Sequence, residues 1–239
     1  MKTKTTIILL FAGLLFLPAA FASHNQNQTV DLSFFDEKPT DETNEHTPTQ
    51  DFKTAINDHR QGNYIAAFKK FKVLAQYGNA NAQFNLATMY FNGQGVMKNN
   101  YKAAQWYEFA AKQGHLAAQH NLATMYFQGK GRLKSYSIAA RWYRLAANQG
   151  YAESQYTLAI MYYTARGVRQ DFHKAFKWFE VAAYQGDLNS QYNLAVMYQN
   201  GIGVERDLAR AFQWHTRAAR NGHPGSIRWL QNHFRKAGL

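Results

Sequence analysis

The amino-acid sequence predicts an all-α protein in which pairs of antiparallel helices are stacked along the chain as a solenoid. The first observation is a motif, Trp-aromatic-x-x-Ala-Ala-x-x-Gly, that occurs four times at intervals of 36 residues, at Trp106–Gly114, Trp142–Gly150, Trp178–Gly186 and Trp214–Gly222. A fixed period between about 20 and 50 residues is typical of a solenoid. The second observation is a helical pattern before each motif: Ala82, Leu86, Met89 and Tyr90 fall at i, i+4, i+7 and i+8, which is one face of a helix.

The first segment, residues 1–22, predicts a signal peptide. Lys2 and Lys4 precede an apolar run from Ile7 to Leu17, and Ala20-x-Ala22 offers a cleavage site. The run is too short to span a bilayer, so we expect an exported protein, periplasmic or secreted, with no transmembrane segment after cleavage. An uncleaved anchor helix is the alternative.

The second segment, residues 23–50, predicts a disordered acidic and polar tail. It has six acidic side chains and Lys38 as its one basic residue, with few apolar residues. Such a composition buries too little surface to offset the entropy of ordering. Residues 51–239 have 24 basic and nine acidic side chains. The opposite charges suggest that the tail folds back on the repeats and competes there with an anionic partner.

Residues 51–239 are predicted to form the helical repeat domain. The first unit has helices at Asp51–Gln61 and Tyr64–Tyr77, and four longer units each have two. The last segment forms a capping helix that places Ile227 and Leu230 inward. Eleven helices are therefore expected, in segments 51–81, 82–117, 118–153, 154–189, 190–225 and 226–239.

The turn after the first helix of each long unit contains Gly-x-Gly, as at Gly93-Gln-Gly95. Glycine there can adopt the left-handed conformation that ends a helix. The third unit has Ala165 instead, which costs about 1 kcal/mol if the position needs a positive φ. Asp171 and Asp207 lie where an acidic residue favours a helix start.

The pattern A-Q-x-x-L-A-x-M-Y-x-x-G-x-G followed by A-x-x-W-[YF]-x-x-A-A-x-x-G, from Ala82 to Gly225, closely resembles the Sel1-like repeat, a relative of the tetratricopeptide repeat. The first unit, with its Gly62-Asn63-Tyr64-x-x-Ala67 turn, is more similar to a tetratricopeptide repeat. The resemblance implies a right-handed superhelix whose concave face, lined by the first helices, binds a partner. It also implies a scaffold or adaptor role, which in exported bacterial members often serves the envelope or host interaction.

Tryptophan, tyrosine and methionine recur at the same positions in every unit, which indicates core packing rather than a ligand site. We therefore expect binding residues at exposed first-helix positions where the copies differ, and Thr157 interrupts the asparagine series. Asparagine amides can donate to and accept from an extended peptide backbone. The alternative is a structural hydrogen bond between neighbouring helices. The candidates are Phe84, Asn85, His120, Asn121, Tyr156, Tyr192 and Asn193.

Basic residues are concentrated on the second helices of the units. Arg141 with Arg144, and Lys174 with Lys177, are i, i+3 neighbours and share a helix face. Such a surface is often only solvated, but the excess positive charge also attracts anions at low salt. Because export is predicted, an anionic envelope polymer, acidic protein or lipid surface is expected rather than nucleic acid. The candidates are Lys102, Arg141, Arg144, Lys174, Lys177, Arg210 and Arg217.

The sequence contains no Gly-x-Ser-x-Gly or His-Glu-x-x-His motif and no cysteine, so no catalytic, metal or cofactor site is predicted. The function predicted is a non-enzymatic protein–protein interaction scaffold in the bacterial envelope or outside the cell. A basic module for an anionic envelope polymer or membrane surface is one alternative. A cell-wall or β-lactam hydrolase is another, for which the sequence supplies no site.

Overall fold

The computed structural model describes residues 48–237, so the predicted signal peptide and almost all of the predicted tail lie outside the described residues. These residues form eleven helices and no strand, which confirms the all-α solenoid. The helices are α1 Pro48–Arg60, α2 Tyr64–Gln76, α3 Ala80–Asn92, α4 Asn100–Lys112, α5 Leu116–Gln128, α6 Tyr136–Asn148, α7 Ala152–Thr164, α8 Phe172–Tyr184, α9 Leu188–Asn200, α10 Leu208–Arg220 and α11 Pro224–Ala237.

Each helix packs against the next one along the chain, from α1 to α11. Odd-numbered helices up to α9 are the first helices of their units, and even-numbered helices are the second. The observed bounds differ little from the predicted ones: α1 begins at Pro48 instead of Asp51, and α2 ends at Gln76 instead of Tyr77.

Alanine, leucine and methionine side chains fill most of the contacts between helices. Ala110, Ala146, Ala182 and Ala218 on the second helices are completely buried, and a methyl group at these positions lets two helices approach closely. The leucines and methionines of the first helices are also buried. Among the motif tryptophans, Trp106 is 1% exposed, whereas Trp142 and Trp178 are half-buried at the edge of the core. The recurrent motif is therefore a packing element.

The second glycine of each Gly-x-Gly turn touches the preceding unit. A Cβ atom on Gly131 would lie 2.1 Å from the carbonyl oxygen of Asn100, the first residue of α4. Gly203 has the same relation to Phe172, at 2.2 Å. Because no side chain fits between these backbones, the turn fixes the spacing of adjacent units. The first position of the turn has a left-handed backbone conformation. Ala165 adopts it too, with a φ of 58°, so the condition for the strain expected at this alanine is met.

Side chains cap the starts of the second helices. Asp171 accepts a hydrogen bond from Lys174 N at 2.9 Å, and Asp207 accepts one from Arg210 N at the same distance. The predicted helix starts at these two acidic residues are confirmed. The hydrogen bond from Lys174 N is also the main reason that the pKa of Asp171 lies below its usual value.

The closing helix α11 keeps the register of the first helices, since Ser226 and Leu230 lie 36 residues after Ser190 and Leu194 of α9. Ser226 is completely buried and Leu230 is half-buried, but Ile227 is 38% exposed, so the prediction that Ile227 points inward was wrong. The indole of Trp229 also packs on α10, stacked on the buried ring of His215 with centroids 4.1 Å apart.

Candidate functional site

Four of the predicted binding residues occupy one position in successive first helices and are half-buried. Each packs against an aromatic residue or histidine of the second helix of its own unit. The ring centroids are separated by 5.7 Å for Phe84–Tyr107, 5.3 Å for His120–Tyr143, 5.9 Å for Tyr156–Phe179 and 5.7 Å for Tyr192–His215. We use the name first-helix row for these four residues together with the neighbouring Asn85, Asn121, Thr157 and Asn193.

The same rings also reach the residue that begins the next first helix. Phe84 stacks on His115 with centroids 4.5 Å apart, and Tyr192 stacks on His223 at the same separation. In the next unit, Asp187 stands where the others have His115, Tyr151 and His223. Burial raises the pKa of Tyr156, and the charge of Asp187 raises it further. The row therefore crosses the junctions between units, and its rings are packed against their neighbours but remain partly exposed.

The asparagines of the row are anchored by local hydrogen bonds. Asn85 Nδ2 donates to Asn81 O at 2.8 Å, and Asn193 Nδ2 donates to Asn189 O at 2.9 Å. Thr157 makes the same kind of bond to Glu153 O at 2.8 Å. Asn121 lies near the hydroxyl of Tyr107 on α4: burial raises the pKa of Tyr107, and the side chain of Asn121 opposes this in part. The bonds of Asn85 and Asn193 each use one of the two amide protons of the side chain. The second proton and Oδ1 do not take part in these bonds.

The histidine of the row is held in its neutral form. Burial lowers the pKa of His120, and the charge of Glu153 opposes this only in part. Its Nδ1 lies 2.9 Å from the hydroxyl oxygen of Ser154, which is completely buried on α7. Burial likewise lowers the pKa of His115. At neutral pH the row therefore presents uncharged rings and amides.

Buried glutamines connect the helix ends beneath the row, and the sequence analysis did not identify them. Gln119 Nε2 donates to Ala111 O at 3.1 Å, at the end of the preceding α4. Gln149, at the end of α6, donates in turn to Gln119 Oε1 at 3.0 Å. The sequence does contain an indication of this connection, because both glutamines recur in three consecutive units and are 30 residues apart in each.

Three of the predicted basic residues share one position in their second helices and lie over first-helix tyrosines. The cations of Lys102, Lys174 and Arg210 are 5.5, 5.6 and 5.5 Å from the ring centres of Tyr90, Tyr162 and Tyr198. Arg144 Nη2 donates to the hydroxyl of Tyr162 at 3.1 Å. Arg217 lies over Trp214 at 5.4 Å. Arg141 and Lys177 are exposed.

The basic residues are therefore not one continuous site. Those over the tyrosines contribute to packing as well as charge, because a cation over an aromatic face is attracted by the ring. Lys174 and Arg210 are further paired with the helix-capping Asp171 and Asp207, at 3.0 and 3.3 Å.

Among the described residues, no group of three or more histidine or acidic side chains is placed to hold a metal ion. Over the same part of the chain, every helix is too short or too polar to cross a membrane.

Comparison with known proteins gives a consistent result for the repeats. The family model described as Sel1 repeat matches residues 80–115, 116–151, 152–187 and 188–223, so its units begin two residues before those read from the sequence. The four matches cover more than half of the chain. No curated protein sequence matches significantly.

Two solved structures share 30% sequence identity with the chain. A Sel1 repeat protein from Oxalobacter formigenes superposes with a TM-score of 0.74, over 77% of this chain and 75% of the other. A protective antigen present in uropathogenic Escherichia coli strains superposes with a TM-score of 0.73, over 75% of this chain. This chain spans only 39% of the length of the Escherichia coli protein.

Proposed function

The chain belongs to the Sel1 repeat family, and on that basis we propose that it is a non-enzymatic scaffold that binds a protein or peptide along the first-helix row. Sel1 repeat proteins generally act as protein-interaction scaffolds. The observation that supports the row as the binding surface is its combination of fixed geometry and variable chemistry. Its rings are held across the junctions by stacking contacts such as Phe84–His115, yet the ring is phenylalanine, histidine or tyrosine in different units.

The amides of the row suit an extended backbone. The bond from Asn193 Nδ2 to Asn189 O fixes the rotamer of the side chain, so little further entropy is lost when a partner binds. The remaining amide proton and Oδ1 can then donate to a peptide carbonyl and accept from a peptide N–H. Adjacent half-exposed rings such as Tyr192 supply rigid apolar contact, which is common at protein interfaces.

The experiment is affinity capture from a bacterial envelope extract with residues 23–239, compared between Asn193→Ala and Asn200→Ala. Asn200 is the matched control, because its Nδ2 also donates to the carbonyl four residues earlier on α9, Val196 O, at 2.9 Å. A discrete protein retained by the wild type and by Asn200→Ala, and weakened by Asn193→Ala and Asn121→Ala, supports the proposal. Equal retention by all variants, or no discrete protein, would contradict it.

A basic module for an anionic polymer or membrane surface is the second candidate, favoured by the exposed cations Arg141 and Lys177. Binding of this kind depends on long-range electrostatic attraction, so it should weaken steeply as salt is added. The asparagine substitutions should leave its affinity unchanged. A partner retained at high salt supports the scaffold instead.

We propose that the protein acts in the bacterial envelope or outside the cell. The support is the three-part leader in residues 1–22, with its cleavage site after Ala22. Cell fractionation and N-terminal sequencing test this location: a mature chain that begins at Ser23 in the periplasm or medium is expected. An uncleaved cytoplasmic chain would contradict it.

A further inference from the structure

An open cleft of about 640 Å³ lies at the junction between the second and third Sel1 units. It is lined by Arg144 of α6, Tyr162 of α7, the loop residues Val168 and Arg169, and Asp171 and Lys174 at the start of α8. Three cations thus surround the cleft against a single carboxylate. That carboxylate is already engaged, since Asp171 caps α8 and pairs with Lys174 at 3.0 Å.

Two of the three cations of this junction cleft contact Tyr162. Arg144 Nη2 donates to its hydroxyl at 3.1 Å, and the Lys174 ammonium lies 5.6 Å from the ring centre. Among the described residues, no carboxylate lies within ion-pairing distance of Arg144 or Arg169. A guanidinium has five N–H donors, so Arg144 has further donors besides the one that it gives to Tyr162.

The preceding junction has the opposite arrangement at the same two positions. Glu108 takes the place of Arg144, and Arg132 takes the place of Val168. There the Glu108 carboxylate is held between Arg132, at 2.9 Å, and Lys112, at 3.0 Å. The first junction therefore supplies its own carboxylate, whereas the second has replaced it with a cation and has removed the loop arginine that paired with it.

From this comparison we propose that the junction cleft binds a carboxylate side chain of an acidic peptide segment in the partner protein. The inference rests on the proposed function as a protein-binding scaffold and adds the chemistry of one subsite. The planar guanidinium of Arg144 matches a carboxylate with two parallel hydrogen bonds. Arg169 and Lys174 add positive charge at the cleft, and Val168 supplies an apolar wall for the methylene groups of a glutamate.

The test measures binding of a fluorescein-labelled hexaglutamate peptide to residues 23–239 by fluorescence anisotropy at low salt. Arg144→Gln is compared with Arg141→Gln, which removes the same charge one turn away on the same helix but outside the cleft. Because individual exposed ion pairs contribute up to about 1 kcal/mol, we expect Arg144→Gln to weaken binding about three- to fivefold. Arg141→Gln should change it less than about twofold, since only the general charge is reduced.

A second variant gives the cleft a carboxylate of its own and keeps three cations at the junction. The double substitution Arg144→Glu and Val168→Arg rebuilds the Glu108–Arg132 arrangement, and it should abolish hexaglutamate binding while circular dichroism shows an intact fold. Equal weakening by Arg144→Gln and Arg141→Gln, or unchanged binding by the double variant, would overturn the assignment. So would tighter binding of polygalacturonate than of hexaglutamate, because the site would then recognise an anionic polysaccharide.

Failure of the cleft and failure of the scaffold can be told apart. If hexaglutamate does not bind but a partner is still captured in a manner that depends on Asn193, only the cleft assignment fails. If hexaglutamate binds through Arg144 and no partner depends on Asn193, the first-helix row fails as the binding surface.

Discussion

Gln185, the C-cap residue of α8, donates from Nε2 to Oε1 of Gln155 on α7 at 2.8 Å. Gln155 is buried and donates in turn to Ala147 O, at the end of α6. Two side chains thereby connect the ends of three consecutive helices. The fourth unit lacks half of this connection: Asn221 replaces the second glutamine and bonds to Arg217 O of its own helix. As a result, the buried Oε1 of Gln191 has no hydrogen-bond partner among the described residues.

The first prediction is that Asn221→Gln stabilises the protein. The longer side chain should reach Gln191 Oε1 and satisfy a buried acceptor, which adds about 1 kcal/mol to the free energy of unfolding. The reverse change, Gln185→Asn, should cost about 1–3 kcal/mol because it leaves Gln155 Oε1 unpaired. Urea unfolding followed by circular dichroism measures both changes. A lower midpoint for Asn221→Gln would contradict the geometry.

The second prediction compares two buried serines at equivalent positions. Ser154 Oγ lies 2.9 Å from His120 Nδ1. Ser190 Oγ is buried and has no partner among the described residues, because Tyr156 occupies the place of that histidine. Ser154→Ala should therefore cost about 1 kcal/mol, and Ser190→Ala should be neutral or stabilising. Thermal unfolding of the two variants tests this difference. Equal destabilisation would indicate that the Ser154–His120 bond contributes nothing.

The third prediction concerns the left-handed turn residue of the third unit. Ala165 has a φ of 58°, where a side chain is strained, so Ala165→Gly should raise the free energy of unfolding by up to about 1 kcal/mol. Gly201→Ala, at the same position in the fourth unit, should lower it by a similar amount. Gly203→Ala should cost more, because its Cβ would overlap the backbone of Phe172. Similar midpoints for the two alanine variants would contradict the close approach.

The helices could be predicted from the sequence because their apolar positions repeat every 36 residues and each helix obeys the same spacing. The capping residues Asp171 and Asp207 followed from local chemistry alone. The side of α11 that faces α10 follows the same register, because Ser226 and Leu230 lie 36 residues after the buried Ser190 and Leu194. The register does not indicate the aromatic contacts between these two helices, in which Trp229 stacks on His215 and meets Phe212 edge-on, because Trp229 replaces an asparagine or threonine of the other units.

The hydrogen bonds between side chains of neighbouring helices were not predicted, although the sequence contains an indication of some of them. Thr88 and Tyr107 share a hydrogen bond at 3.0 Å, as do Thr124 and Tyr143 at 2.8 Å, both across 19 residues. The third unit replaces the pair with Ile160 and Phe179. A threonine that changes together with a tyrosine in this way indicates contact. The partners of Asn85 and Asn193 leave no such trace, because a bond to the backbone of the same helix constrains no second side chain.

The fourth prediction is that acid destabilises the C-terminal end through His215. This ring is completely buried, with Nδ1 3.0 Å from Ser226 Oγ and Nε2 without a partner among the described residues. It packs against Trp229 and Tyr192. Burial, and to a lesser extent the charge of His223, lowers the pKa of His215 to about 4.

Because the folded pKa lies below that of the unfolded chain, 6.5, the folded state requires the neutral ring. The stabilisation is complete above pH 6.5 and is lost as the pH falls toward about 4, and over that window it amounts to about 3 kcal/mol. The control is the double variant His215→Phe and Ser226→Ala, which copies Phe179 and the alanines at Ala82 and Ala118. His115, His120 and His223 are retained, so they act equally in both proteins. Urea midpoints of the wild type should fall more steeply between pH 7 and 4 than those of the variant, and parallel curves would refute the assignment to His215.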